Sequence, residues 1–348
     1  MKIDAVDLFC GAGGLTHGFE MAGINVISGY DIDAACRYPY EKNNHAKFVA
    51  KNVIDIDADL INKNYRLNSI KLLAGCAPCQ PFSNYRQGKV KDQRWELLNS
   101  FARLIMETQP DLVSMENVPE LVRHQVYSDF VMLLEKQNYY ISISVVFCPD
   151  YGIPQSRKRL VLLASKLGKI KLIEPTHKKE LYLTIKDVLM DLPPLEAGEA
   201  DCNDPLHKAS GLTDINLQRI KASKQNGSWR DWPEELKASC HQRASGQKYV
   251  AVYGRMSWDS PAPTITTQCY NYGSGRFGHP VQNRAITLRE AALLQSFPPN
   301  YQFINPEVKR VSQSEIARLI GNAVPVKLGE AIGKTFVSHV AHLDSFVY

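Results

Sequence analysis

The stretch IDAVDLFCGAGGLTHGFE (3–20) decides the fold. An apolar run, IDAVDLF (3–9), ends in a glycine-rich turn, after which Leu15, Phe19 and Ala22 recur at helical spacing. Gly11, Gly13 and Gly14 let the backbone turn tightly and approach a ligand closely, with the first N–H groups of the helix free to meet it. Asp31 follows the next β-rich run, INVISGY (24–30), 20 positions after Gly11, where a doubly wound sheet holds a ribose. Strand, turn, helix and distal acid together predict a nucleoside cofactor. The glycines alone would mark only a tight connection, and their GxGG spacing is not the GxGxxG of dinucleotide sites.

The same rhythm continues outward. IKLLAG (70–75), DLVSME (111–116), YYISISVVF (139–147) and RLVLLAS (159–165) read as strands, and WELLNSFARLIMETQ (95–109) and VYSDFVMLLEKQ (126–137) as amphipathic helices between them. Alternation of this kind predicts an α/β fold with a mostly parallel sheet. After about residue 165 it fails, and Pro, Gly, Trp and polar clusters dominate until TLREAALLQSF (287–297). The expected division is a catalytic and cofactor-binding domain over 1–164, a smaller domain over 165–285, and C-terminal helices over 286–348 that return to the first, with a turn at Gly321-Asn322.

A chain of 348 residues, 44% hydrophobic and 22% charged, is long enough for two domains and for a full core. The net charge of +5 is unevenly spread: residues 1–164 are neutral, 165–254 carry a surplus of two, and 255–348 a surplus of three. So mild a balance permits nucleic-acid binding without demanding it. No apolar run reaches the roughly 18 residues of a spanning helix, and Asp4 and Asp7 interrupt the place of a signal peptide's apolar stretch. A cytoplasmic protein with no membrane contact is expected. The eight cysteines have no framework spacing and read as reduced thiols. Cys76 and Cys79 lack a second ligand pair, so no metal site is expected.

LLAGCAPCQPFS (72–83) puts a Pro-Cys-Gln-Pro turn just past a buried-type strand, at the sheet edge where open α/β folds hold ligands. A packed loop cysteine needs neither Pro78 and Pro81 around it nor the basic stretch that follows. DLFCGAGGL (7–15), GCAPCQPFS (75–83), MENV (115–118), PQSRKRL (154–160), GRMSWDSPAPTITT (254–267) and GNAVPVKLGEAIG (321–333) closely resemble, in order, the motif set of the DNA (cytosine-5)-methyltransferases of bacterial restriction-modification type. The likeness spans nearly the whole chain. It implies a class I S-adenosylmethionine-dependent methyltransferase domain with a smaller target-recognition domain, S-adenosyl-L-methionine as cofactor, and double-stranded DNA as substrate.

The resemblance also implies residue roles. Cys79 would be the thiolate that adds to C6 of cytosine, and Glu116 the carboxyl that serves N3. Arg157 and Arg159, alternating on an extended segment, would point to one side and hold the base O2, with Lys158 pointing away. Phe9, Gly11, Gly13, Gly14 and Leu15 match the cofactor turn, Asp31 would take the ribose, Ile32 the adenine face, and Pro78 the cofactor's neighbourhood. Asn52 and Val53 stand where the family often shows Asp-Ile, and Asn322 would approach the methionine end. A base inside a duplex must be flipped out to be reached, and SNYRQGKVKDQRW (83–95) looks like the family's mobile loop. Within it Ser83, Arg86, Lys89, Lys91 and Arg94 would meet DNA.

About 90 residues separate the arginine motif from GRMSWDSPAPTITT, the place of the family's target-recognition region. NGSWRDWP (226–233) and QCYNYGSGRFGHP (268–280) suit loops that enter a groove, or packed turns with Trp229 and Trp232 in a core. Arg255 is expected to brace the region. A tRNA cytosine-5 methyltransferase on the same fold and a non-catalytic DNA-binding regulator are the alternatives. The long recognition region speaks against the first, and retention of Cys79, Glu116, Arg157 and Arg159 against the second. The expected form is a monomer, in a setting where a cognate restriction endonuclease acts separately.

Overall fold

The computed structural model describes residues 2–78, 93–308 and 312–344. The strands are β1 (Ile3–Leu8), β2 (Asn25–Asp31), β3 (Lys47–Ala50), β4 (Ile70–Gly75), β5 (Leu112–Asn117), β6 (Tyr140–Phe147), β7 (Gln155–Ser156), β8 (Lys158–Ser165) and β9 (Ala262–Pro263). The helices are α1 (Gly14–Met21), α2 (Arg37–Asn43), α3 (Ala58–Asn62), α4 (Gln93–Thr108), α5 (Gln125–Lys136), α6 (Ile185–Leu189), α7 (Asp214–Ala222), α8 (Ser239–Gln242), α9 (Leu288–Leu294), α10 (Gln313–Asn322) and α11 (Val326–Asp344).

The chain divides into two units. The first comprises 1–151, 158–176 and 323–348; the second, 152–157 and 177–322. The expected boundaries at 164 and 285 differ from these, because α9 and α10 belong to the second unit. There the Gln295 amide at the end of α9 donates to the Ile320 carbonyl of α10 at 2.8 Å.

In the first unit seven strands form one sheet in the order β3-β2-β1-β4-β5-β8-β6. β1 to β5 pair in parallel, whereas β8 runs antiparallel to both β5 and β6. The ten residues between β6 and β8 are too few for a helical crossover, so the chain folds back beside itself. β1 and β5 are buried at every position, as parallel strands covered on both faces must be. One face carries Val6, Leu8, Leu73, Val113, Leu160 and Leu162 against Phe101, Leu104 and Phe130 of α4 and α5. α11 packs on α1 so closely that a Cβ on Gly18 would lie 2.4 Å from the Glu330 nitrogen. β3, unforeseen, is four residues long, too short to show a period.

The second unit has little regular structure; among the described residues its one ladder joins β7 to β9 over two residues. Buried polar side chains replace the ladders. Arg255 donates to the carbonyls of Ile220, Ser223, His279 and Gln282 and to the Asn283 side chain, so the brace expected there is present. Arg284, fully buried, makes two 2.8 Å bonds to Glu290. Trp229 and Trp232 are buried with Leu236, which settles their reading in favour of a core.

Candidate active site

β1 ends at Leu8, and Phe9 adopts φ 58°, Gly11 φ 52° and Gly13 φ 91°. Three left-handed residues within five reverse the chain into α1, a path that glycine takes without steric cost. Cys10 donates its N–H to the Tyr30 carbonyl at 3.1 Å, which ties the turn to β2. The Asp31 carboxylate does the rest, accepting from the Gly11 N–H with one oxygen and from the Asp33 N–H with the other, both at 2.9 Å. Asp31 also binds the next strand through its carbonyl, which accepts from the Lys51 N–H at 3.0 Å. Asn52 then caps the short turn Val53–Asp55 by accepting from the Ile54 N–H.

Phe9, Gly11, Gly13, Gly14, Leu15, Asp31, Ile32, Asn52 and Val53 therefore meet at the carboxyl ends of β1, β2 and β3. Their surfaces differ. Ile32 is 70% exposed, while Leu15 and Val53 are buried core side chains. These features fit a nucleoside ligand: a turn free of Cβ atoms at Gly11 and Gly13, a carboxylate beside it, and an apolar side chain held out to solvent.

Beneath the turn lies a buried polar chain that sequence reading missed. Thr16 donates to the Asp7 carboxylate at 2.7 Å and lies 3.0 Å from the Tyr40 hydroxyl. Burial pushes the Asp7 carboxyl up to about 7, against the bond from Thr16 and reinforced by the charge of Asp31. The same burial, with Asp7 and Asp31 nearby, holds the Cys10 thiol well above its usual range. The Asp31 carboxylate beside the turn suits a ligand of positive charge.

A second cluster forms where β4 and β5 end and the antiparallel β8 begins. Glu116 is 7% exposed, and its carboxylate lies 2.8 Å from Arg159 Nε. Arg159 also donates to the Lys158 carbonyl at 2.7 Å. Next to Glu116, Asn117 donates to the Ala77 carbonyl at 3.0 Å and so fixes the segment that leaves β4. Only its place beside Glu116 in MENV marked Asn117 in the sequence. Burial, then the charge of Glu116, raises the Cys76 thiol well above its usual range, so the neutral thiol dominates at that position. Pro78 closes the described segment. Cys79, Ser83, Arg86, Lys89 and Lys91 lie outside the described residues, as does the side chain of Arg94.

Arg157 corrects an expectation. It does not alternate with Arg159 along one strand, because β7 ends at Ser156 and β8 begins at Lys158. Arg157 belongs to the second unit, is 4% exposed, and donates to the Ile265 carbonyl at 3.2 Å. Gln155 supports it there, accepting from the Ile265 N–H at 2.9 Å and donating to Gln295 at 2.8 Å. Asn322 ends α10 in the same unit, with its side chain exposed.

A family model for C-5 cytosine-specific DNA methylases matches residues 3–338. The type II methylase M.HgiDII of Herpetosiphon aurantiacus is 53% identical over 95% of this chain and 94% of its own length. The type II methyltransferase M1.HphI of Haemophilus parahaemolyticus is 30% identical over 96% and 86%. Among solved structures, a methyltransferase of Entamoeba histolytica superposes with a TM-score of 0.70 at 18% identity, covering 98% of this chain and 99% of that one. The fold is thus that of the class I S-adenosylmethionine-dependent methyltransferases. The glycine turn, the paired acid and arginine at the sheet edge, and these likenesses converge: the chain belongs to the C-5 cytosine-specific DNA methylases, and is a DNA (cytosine-5)-methyltransferase that uses S-adenosyl-L-methionine.

Proposed function

We propose that the protein methylates C5 of a flipped-out cytosine within a specific double-stranded DNA sequence, through a covalent bond between Cys79 and C6. The observation that carries this reading is the buried Glu116–Arg159 pair at 2.8 Å, one residue from the Asn117 bond to Ala77. Ala77 stands two positions before Cys79, so the segment leading to the thiol is tied to the strand end that bears the acid.

The chemistry demands such a set, because C5 of cytosine is too electron-poor to attack a methyl donor unaided. When the Cys79 thiolate adds to C6, electron density moves to C5 and to N3. A proton from the Glu116 carboxyl neutralises N3, and Arg159 holds that carboxyl in place. The bound cofactor supplies an electrophilic methyl group, with Gly11, Gly13, Asp31 and Ile32 as its holders. After transfer the C5 proton leaves to water, the Cys79–C6 bond breaks, and the thiolate and the Glu116 proton are restored. Arg157, fixed on backbone carbonyls, acts as a brace in this scheme. Ser83, Arg86, Lys89, Lys91 and Arg94 are proposed to meet phosphates of the flipped strand, and Pro78 and Asn322 to border the cofactor.

The setting that fits is a type II restriction-modification pair in the cytoplasm, a monomeric methylase beside a separately acting endonuclease. No described helix is long and apolar enough to cross a membrane. The test is methyl transfer from labelled S-adenosyl-L-methionine to duplex DNA and to tRNA in parallel, with bisulfite mapping. Label in DNA at one recurring sequence is expected; label confined to tRNA contradicts the reading.

A further inference from the structure

The aromatic segment 226–233 turns inward in the second unit and builds a pedestal for another loop. The Trp229 ring stacks on His241 with centroids 4.4 Å apart and 16° between planes. Trp232 and Tyr253 complete the cluster, with the Arg219 guanidinium 5.6 and 5.4 Å from their rings. From this pedestal two donors reach out. Trp229 Nε1 binds the Tyr249 carbonyl at 3.0 Å, and the Arg230 guanidinium binds the Gln247 carbonyl at 2.9 Å. Between them the chain closes on itself: the Gly246 and Gln247 N–H groups donate to the Arg243 carbonyl at 2.9 and 3.2 Å. A Cβ on Gly246 would sit 1.9 Å from the Cys240 carbonyl oxygen, so this turn accepts only glycine. Loop 242–249 is thus held rigidly by its backbone while its side chains are spent on none of these bonds.

Those side chains are chemically specific. Gln242, Arg243, Gln247 and Lys248 are exposed, and among the described residues Gln242, Arg243 and Gln247 make no side-chain hydrogen bond or ion pair. No Asp or Glu occurs from residue 236 to 258, so the loop's only charges are positive, beside two amides. Arginine binds the O6 and N7 acceptors of guanine with two bonds in a fixed fork, and glutamine pairs likewise with adenine, whereas lysine is a flexible point charge of lower geometric specificity. A preorganised backbone carrying these groups loses little freedom on binding.

We propose that loop 242–249 enters the major groove of the target duplex, and that Arg243, with Gln242 and Gln247 beside it, reads base edges there. The proposal rests on the reading of the enzyme as one that modifies a specific duplex sequence. To test it, wild-type protein first defines the target by bisulfite mapping of plasmid DNA. Duplexes varied at each position of that target are then methylated by Arg243→Ala, Arg243→Lys, Gln242→Ala and Gln247→Ala.

Both Arg243 variants are expected to lose about tenfold to a hundredfold in kcat/KM on the original target. They should also accept other base pairs at one position while keeping the wild-type cofactor Kd and melting temperature. Arg243→Lys should keep the wild-type salt dependence as well, because it retains the charge. Equal weakening on every duplex with a shallower salt dependence would make Arg243 a phosphate contact and overturn the proposal, as would an unchanged target. Wild-type protein that transfers no methyl group to duplex DNA overturns the functional reading itself, and this proposal with it.

Discussion

The two units solve the problem of buried polar groups in opposite ways. In the first, a seven-stranded ladder satisfies the backbone, the interior is apolar apart from a few groups such as Asp7 and Thr16, and Asp31, Glu116 and Arg159 stand at strand ends. The second has, among the described residues, one two-residue ladder, and arginine side chains bind the carbonyls that strands would otherwise satisfy. A charge in the first unit is therefore free to serve chemistry, whereas a buried charge in the second holds up the chain. Equivalent substitutions in the two should fail in different assays.

The largest expected effect tests the first half of that contrast. Glu116→Gln should lower kcat by about a hundredfold to ten-thousandfold, the range for removing a positioned proton donor, with the melting temperature close to wild type. A collapse in stability with normal turnover in the surviving protein would make Glu116 a structural acid. Arg284→Met tests the second half. It strips the buried Glu290 of its guanidinium partner and should cost about 3–5 kcal/mol, read from urea unfolding. The double change Arg284→Met with Glu290→Leu should recover most of the loss. A neutral single variant would break the comparison.

Asp7 sharpens the comparison, being, among the described residues, a buried acid of the first unit with no cation on it. Its folded value of about 7 lies above the ordinary 3.8, so the folded chain holds the proton more tightly than the unfolded one. The stabilisation by the neutral form is complete below pH 3.8 and is lost as pH climbs through 7. Asp7→Asn should remove that slope and raise stability at pH 8 by up to about 4 kcal/mol, at 1.36 kcal/mol per unit. Parallel unfolding curves from pH 5 to 8 decide it, and an unaltered slope would place the titration elsewhere. The smallest effect belongs to Asp31→Ala, which frees the Gly11 and Asp33 N–H groups. Calorimetry should show cofactor binding weakened by roughly 1–3 kcal/mol; unchanged affinity would confine Asp31 to bracing the turn.

How far the sequence could be read follows from the same physics. DLFCGAGGL revealed β1, the turn and α1 because apolar period and glycine chemistry are local, and Asp31 stood at the strand end its spacing implied. The arginines misled: alternation along QSRKRL assumes one continuous strand, but the chain passes from one unit to the other at Arg157. The second unit was legible only as a failure of pattern. Its support comes from long-range bonds such as Arg255 to His279 and Arg284 to Glu290, and such pairings leave no periodic trace. Trp229 shows the same limit, since an aromatic beside arginine suits a groove loop and a pedestal equally until its neighbours are known.

The central claim is that Cys79, four positions after β4 in the sequence, forms the bond to C6. The most direct measurement mixes the enzyme and S-adenosyl-L-methionine with duplex DNA carrying 5-fluorocytosine at the mapped target, followed by denaturing electrophoresis and mass spectrometry. Fluorine at C5 cannot leave as a proton does, so wild-type protein should remain covalently attached, with the adduct on the peptide containing Cys79 and none from Cys79→Ser. A persistent adduct in Cys79→Ser, or methyl transfer by that variant near the wild-type rate, would contradict the account.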